Sequence, residues 1–228
     1  MARPVLIVAH GQPGDPAPQQ AAIEAMAARV SALLPAHEVC GATLAAEGAL
    51  ARGIRDEALV YPLFMAGGWF TRVELPRRLG LLGARGLVVL PPFGADPGLP
   101  ALAREQLAAC AGSEGWPLSE VAVLIAAHGS GRSRAPSQAA CDLAQKLAAH
   151  LGSIRCGFIE EAPLLADQAR GLGTRAICLP FFATEAGHVT EDLPQAMEAA
   201  GFAGRVLPPL GLAPEVPRMI AAAVRRGG

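Results

Sequence analysis

The sequence predicts an α/β protein built from two tandem domains, each a small parallel sheet flanked by helices. Two observations predict this architecture: the chain repeats itself, and each repeat alternates short apolar runs with longer alanine-rich segments. The composition supports it, because hydrophobic residues make up 52% of the 228 residues and charged residues only 17%. Such a chain has enough apolar surface to form buried cores without long disordered stretches.

The internal repeat has a constant offset of 118 residues. Segment 5–11 matches segment 123–129 at six of seven positions, and both segments end in His-Gly. The same register pairs Leu-Pro at 75–76 with Leu-Pro at 193–194. Matches at histidine and proline are rare by chance even in an alanine-rich chain, so the duplication is taken as real.

The duplication predicts one domain over residues 1–115 and a second over residues 116–228. Residues 112–120 contain glycine, serine and proline and are predicted to be the linker.

Each short apolar run predicts a strand, and each longer run with apolar residues at helical spacing predicts a helix. Strands are predicted at 5–9, 38–44, 58–63 and 87–90, and at 121–127, 154–159, 176–180 and 205–207. Helices between them include 20–34 and 137–151. Alternation of strands and helices implies parallel sheets with right-handed crossovers, in which ligands bind beyond the carboxyl ends of the strands.

Charge and cysteine usage limit the function classes. A formal net charge of -1 argues against nucleic acid as a partner, because phosphate binding requires a basic surplus. The five cysteines form no C-x-x-C pair, which is typical of a reducing compartment. The apolar run after the N-terminus is too short for a signal peptide, and no run reaches the roughly 20 residues of a membrane span. The expected location is cytoplasmic, with no membrane partner.

Three polar residues of the second half follow three successive predicted strands. They are His128, Glu160 (with Glu161 beside it) and His188. Because carboxyl ends of parallel strands meet at one edge of a sheet, these side chains are expected to converge. Two imidazoles and a carboxylate suit a divalent first-row ion and leave coordination positions open.

The first half supplies an internal control for this prediction. At the repeat offset, His188 corresponds to Phe70. When Cys-Gly at 156–157 is aligned with Cys-Gly at 40–41, Glu-Glu at 160–161 corresponds to Leu-Ala at 44–45. A set required for folding would be present in both halves. Its loss from the first half favours a functional site in the second half only.

The motifs around these residues resemble those of class II tetrapyrrole chelatases that act on sirohydrochlorin. They are His-Gly-Ser at 128–130, Gly-Phe-Ile-Glu-Glu-Ala-Pro at 157–163 and the segment 179–194, whose Gly-His-Val-x-x-Asp-Leu-Pro ending is the most specific piece. The resemblance implies two similar α/β domains facing each other across a cleft. It also implies a metal chelatase (a lyase) that inserts Co²⁺ or Fe²⁺ into the macrocycle without ATP, in corrinoid or siroheme biosynthesis.

Carried over to this chain, the family's metal-handling and catalytic residues fall on His128, His188 and Glu160, with Glu161 as the alternative carboxylate. Metal insertion must also remove two pyrrole N–H protons, and the imidazoles are suited to bind the metal or to accept protons. No cofactor is expected beyond the metal substrate itself, for which Ni²⁺ is also suitable. Asp192, near the start of a predicted helix, is expected to cap that helix.

Substrate contacts are predicted from the chemistry of the macrocycle, which is flat and carries many carboxylates. Trp69 and Phe70 are expected to line its site, and Arg132 and Arg134, with Arg72, to bind its carboxylates. His10, the counterpart of His128, is either a further substrate contact or a structural residue.

Two hypotheses of different class remain from the sequence. In the first, the protein is the chelatase, acting as a monomer or a homodimer. In the second, it is a non-catalytic metal- or tetrapyrrole-binding protein on the same scaffold. Hydrolase and nucleotide-binding readings are weak, because the sequence lacks G-x-S-x-G, G-x-G-x-x-G and G-x-x-x-x-G-K-[ST] motifs.

Overall fold

The computed structural model describes residues 2–185 and 187–227, so Ala186, within the 179–194 motif, lies outside the described residues. The chain forms two compact units. Unit 1 comprises Met1–Asp96 and Pro214–Gly228, and unit 2 comprises Pro97–Ala213.

Unit 1 contains a four-stranded sheet in the order β2-β1-β3-β4, and all its strand pairs are parallel. Its elements in the first part of the chain are β1 (Val5–Ala9), α1 (Ala17–Leu33), β2 (Val39–Thr43), α2 (Ala49–Gly53), β3 (Leu59–Pro62), a π-helical turn (Phe70–Glu74), α3 (Leu75–Leu81), β4 (Val88–Val89) and a 3-10 turn (Phe93–Ala95).

Unit 2 repeats this plan, with a parallel sheet in the order β6-β5-β7-β8. Its elements are α4 (Leu99–Ser113), a 3-10 turn (Leu118–Glu120), β5 (Ala122–Ala127), α5 (Ala135–Leu147), a 3-10 turn (Ala148–His150), β6 (Ser153–Phe158), α6 (Leu165–Ala169), β7 (Ala176–Pro180), a π-helical turn (His188–Asp192), α7 (Leu193–Ala200), β8 (Arg205–Val206) and a 3-10 turn (Leu210–Leu212). The last helix, α8 (Val216–Gly227), belongs to unit 1.

The burial of the central strands explains why short apolar runs in the sequence predicted the positions of the strands. Every residue of β1, β3 and β7 is buried, because helices cover both faces of a parallel sheet. The edge strands β4 and β8 are exposed and only two residues long. The predicted fold class, two tandem α/β domains with parallel sheets, is confirmed.

Helices α1 and α5 begin before their predicted starts at residues 20 and 137. Each has a proline, Pro18 or Pro136, in its first two positions. Proline is favourable there because the first turn has no intrahelical acceptor for its missing N–H. The prolines therefore lie inside the helices rather than in the preceding loops.

The two units do not divide at the predicted boundary of 115/116, because each unit includes a helix that was predicted to belong to the other domain. Helix α4 packs with α5 and β7 in unit 2, whereas α8 packs on α1 and β3 in unit 1. The apolar face of α8 is buried there, including Ile220 and Val224. The predicted linker at 112–120 is also wrong in part, because α4 continues to Ser113 and a 3-10 turn forms within the segment.

Among the residues that the structure describes, no helix combines the length and the apolarity needed to cross a bilayer.

Candidate metal centre

Three side chains of unit 2 lie together at the carboxyl end of its sheet. His128 directly follows β5, Glu160 lies two residues beyond the end of β6, and His188 opens the π-helical turn after β7. One ligand atom from each lies within 4.8 Å of the others, a spacing that can hold a metal ion. The sheet order β6-β5-β7 explains this convergence, because the strand that carries His128 is flanked by the other two.

The two imidazoles face each other through their Nε2 atoms. These atoms are 2.9 Å apart, and the ring planes are nearly perpendicular, at 89°. The Oε1 atom of Glu160 lies 3.6 Å from Nε2 of His128. All three groups are partly exposed, so a ligand from solvent can reach them.

The other ring nitrogens fix the tautomer of both histidines. Nδ1–H of His128 donates to the carbonyl oxygen of Gly129 at 2.9 Å, and Nδ1–H of His188 donates to Oδ2 of Asp192 at 2.7 Å. A carbonyl and a carboxylate are acceptors, so each Nδ1 carries a proton and each neutral imidazole presents a lone pair at Nε2. At 2.9 Å the two Nε2 atoms are close enough to share a proton or to bind one cation together.

Asp192 is the residue of this site that sequence reasoning missed. Its expected role as a helix cap is wrong, because its side chain makes no cap hydrogen bond to the described start of α7. Instead it accepts the hydrogen bond from His188, four residues earlier in the chain. The signal was present in the sequence as a His-x-x-x-Asp spacing, which brings two side chains to one face of a helical turn.

The structure separates the two candidate carboxylates. Oε1 of Glu161 accepts a hydrogen bond from the backbone N–H of Ser130 at 2.8 Å, so this residue anchors the loop after β5. Glu160 points to the histidine pair, and its side chain is 50% exposed. Gly129 allows Glu161 to approach the loop after β5 closely, because a Cβ at position 129 would lie 2.8 Å from Cγ of Glu161. Its φ of +71° also favours glycine.

The predicted substrate contacts lie in two places. Arg132 and Arg134 are exposed on the loop between β5 and α5, and within the described part of the chain neither side chain forms an ion pair. His10, Trp69 and Phe70 lie in unit 1 and are not part of the triad. There His10 packs edge-on against Phe70, with 4.3 Å between ring centroids.

Comparison with known proteins identifies the family. The CbiX family model matches residues 122–227. A solved CbiX, described as the terminal enzyme for siroheme biosynthesis in denitrifying bacteria, is 63% identical, with a TM-score of 0.95 over 99% of this chain and 100% of that one. No curated protein matches the chain.

More distant structures share the fold. SirB from Bacillus subtilis, solved with Fe³⁺, is 16% identical with a TM-score of 0.74, covering 100% of this chain and 96% of that chain. DR2241 from Deinococcus radiodurans, a multi-domain protein with similarity to chelatases, is 24% identical with a TM-score of 0.72, covering 98% and 55%. The protein is thus of the class II chelatase type. Within that class, the chain belongs to the CbiX family.

Proposed function

We propose that this protein inserts a divalent metal, Fe²⁺ or Co²⁺, into a sirohydrochlorin-type tetrapyrrole. The observation that carries the proposal is the pair of Nε2 atoms 2.9 Å apart, with the Glu160 carboxylate beside them. Two imidazole nitrogens and a carboxylate oxygen suit a divalent first-row transition metal. The reaction uses no ATP and no cofactor beyond the metal substrate.

The spacing of the nitrogens suits adjacent ligands on one ion. At metal–nitrogen distances of about 2.1 Å, two imidazoles at right angles around the metal have nitrogens about 3.0 Å apart. The Nε2 atoms of His128 and His188 are already at 2.9 Å. Three protein ligands leave positions open, so the pyrrole nitrogens of a substrate can bind the metal before the protein releases it.

Proton balance gives the same residues a second task. A metal-free macrocycle loses two N–H protons when the divalent ion enters, so the site must provide acceptors. When the ion leaves the protein, the Nε2 atoms and the Glu160 carboxylate regain free lone pairs close to the reacting nitrogens. Asp192 holds the His188 ring in the required orientation throughout.

Arg132 and Arg134 are proposed to bind the carboxylates of the macrocycle. Both lie on the loop that Glu161 anchors beside the metal ligands, and both guanidinium groups are exposed. Charge reversal at the two positions is expected to raise the KM for the tetrapyrrole with little change in kcat. An unchanged KM would remove this assignment.

The most similar of the relatives described above supports iron as the metal substrate. That protein is the terminal enzyme of siroheme biosynthesis, and siroheme is the iron form of the macrocycle. We therefore propose Fe²⁺ as the physiological substrate, with Co²⁺ accepted by the same ligands. Values of kcat/KM measured anaerobically for both ions, and for Ni²⁺, test the order; faster insertion of Co²⁺ than of Fe²⁺ would contradict it.

The decisive experiment follows the absorbance of metal-free sirohydrochlorin anaerobically with Fe²⁺ or Co²⁺. Wild-type protein and a His150→Ala control, which removes a histidine outside the triad, are expected to accelerate conversion. The His128→Ala/His188→Ala double variant is expected not to. Conversion by the double variant would refute the site. Tight macrocycle binding without accelerated conversion by wild type would instead support the non-catalytic binding protein.

A further inference from the structure

We propose that unit 1 carries a metal-independent binding surface for the flat face of the macrocycle, formed by Trp69, Phe70 and Val73. This inference rests on the proposed function for the identity of its ligand. It gives unit 1 a function in substrate binding, although this unit lacks the metal-binding triad of unit 2. We call these three residues the aromatic surface.

The aromatic surface is exposed although its residues are apolar. Trp69, Phe70 and Val73 have exposed fractions of 55%, 38% and 48%. They belong to one helical turn, where Trp69 and Val73, four residues apart, share a face. Phe64, which stacks with Phe70 at 6.5 Å, instead packs against the core of unit 1.

The fold does not require these residues. Unit 2 forms the same π-helical turn before α7, but at the repeat offset it has Gly187, His188 and Glu191 in place of Trp69, Phe70 and Val73. The backbone therefore forms equally well with polar or small residues at these positions. An apolar turn that is exposed without need of the fold is typical of a binding surface.

The neighbouring contacts hold the rings in place. Phe70 lies edge-on to His10, with 4.3 Å between centroids and 84° between planes, and edge-on to Trp69, with 5.1 Å and 77°. His10 is in turn fixed by the hydrogen bond of Nδ1–H to the carbonyl oxygen of Gly11 at 2.7 Å. A pre-ordered pair of rings binds a flat ligand without much loss of side-chain entropy.

The chemistry of the surface selects the ligand. Phe70 has no lone pair where His188 has one, so this surface cannot hold a metal as the triad does. Its exposed indole and phenyl rings instead suit a conjugated planar face. The exposed guanidinium of Arg72 lies beside Gly67, where a Cβ would be 3.5 Å from Nη2, and it supplies a cation for an acidic substituent. A carboxylated tetrapyrrole has both features.

The test titrates metal-free sirohydrochlorin into the full-length protein. The chain has two tryptophans, so in a Trp116→Phe background the emission comes from Trp69 alone. Binding is expected to quench this emission, with or without the His128→Ala/His188→Ala changes. Trp69→Ala is expected to weaken binding about tenfold, whereas Trp69→Phe is expected to retain affinity within about threefold.

A matched control is Leu81→Ala, which removes another exposed apolar side chain of unit 1, 73% exposed, and is expected to leave the affinity unchanged. Circular dichroism and thermal melting are used to check that each variant is folded. Unaltered affinity in Trp69→Ala, or unquenched Trp69 at saturation, would overturn the inference. Catalysed conversion with metal is read separately, so failure of the chelatase and failure of this surface are distinguishable.

Discussion

The two units hold a pair of rings in the same arrangement but give them different chemistry. In unit 2 the rings of His128 and His188 are 4.2 Å apart at 89°, and in unit 1 those of His10 and Phe70 are 4.3 Å apart at 84°. The edge-on ring contact is therefore a property of the duplicated fold. Two ring nitrogens face each other in unit 2, whereas Phe70 has no ring nitrogen at the corresponding position in unit 1.

The difference extends to the residues behind the rings. Asp192 of unit 2, which supports His188, corresponds to Glu74 of unit 1. Glu74 is only 7% exposed and accepts hydrogen bonds from Arg77 at 2.9 Å and Arg78 at 2.6 Å. Thus a carboxylate that orients a metal ligand in one unit forms a structural ion-pair cluster in the other.

The largest expected effect comes from giving unit 2 the ring pair of unit 1. His188→Phe should keep the ring packing, as His10 and Phe70 show, but remove one lone pair. Metal insertion is expected to fall by on the order of 100-fold or more, with an unchanged melting temperature. His150→Phe serves as the control in the same unit. A variant that still inserts metal at the wild-type rate would show that the shared ring geometry, and not the imidazole, is what matters.

Removing the support of His188 is expected to have the next largest effect. Asp192→Asn loses the charge that the ring N–H binds, so metal affinity, measured by competition with a chelator, should fall about 10-fold. Asp192→Glu, which retains a carboxylate, should recover part of the loss. Equal affinities of Asp192→Asn and wild type would make the hydrogen bond incidental to metal binding.

A smaller effect is expected from Glu161→Ala, which removes the acceptor for the Ser130 N–H. The loop that carries Arg132 and Arg134 should become less ordered, raising the KM for the tetrapyrrole roughly fivefold without changing metal affinity. Asp142→Ala, on the exposed face of α5, is the matched carboxylate control. A large loss of metal affinity would assign Glu161, rather than Glu160, to the metal.

Changing Glu74 should affect stability and not metal insertion. Hydrogen bonds from Arg77 and Arg78 lower the pKa of Glu74 to about 2. Because the folded-state pKa is depressed, the carboxylate stabilises the protein fully above its ordinary pKa near 4.5, and this contribution is lost as the pH falls towards 2.

At pH 7, Glu74→Gln should accordingly have a lower urea unfolding midpoint than wild type. The midpoints of variant and wild type should converge as the pH falls from about 4.5 to 2. The insertion rate at pH 7 should be unchanged. A difference in midpoint that persists undiminished at the acid end would mean that the substitution acts through packing rather than charge.

Much of the fold could be predicted from the sequence because the central strands are continuous buried apolar runs. The positions of His128 and Glu160 followed from the same logic, since residues just beyond such runs lie at the edge of the sheet. The role of Asp192 could not be predicted in this way. It depends on the π-helical turn, which places its carboxylate against His188 instead of at the start of α7.

The sequence also could not predict which unit each of the helices α4 and α8 belongs to. A repeat shows that α4 and α8 occupy corresponding places in the two halves, but not on which sheet each helix packs. Both helices bury apolar residues, and their tertiary contacts place α4 against α5 and β7 and α8 against α1 and β3. The carboxylate choice was similarly open, because Glu160 and Glu161 differ only in the direction each side chain takes after β6.

The assignment of α8 to unit 1 has a consequence for biogenesis. As the chain leaves the ribosome, all of unit 2 is made before α8, the helix that buries its own Ile220 and Val224 in unit 1. Unit 2 can therefore complete its core first, whereas unit 1 cannot complete its core until α8 has been made. Loss of α8 would thus damage unit 1, although most of that unit is synthesised before unit 2.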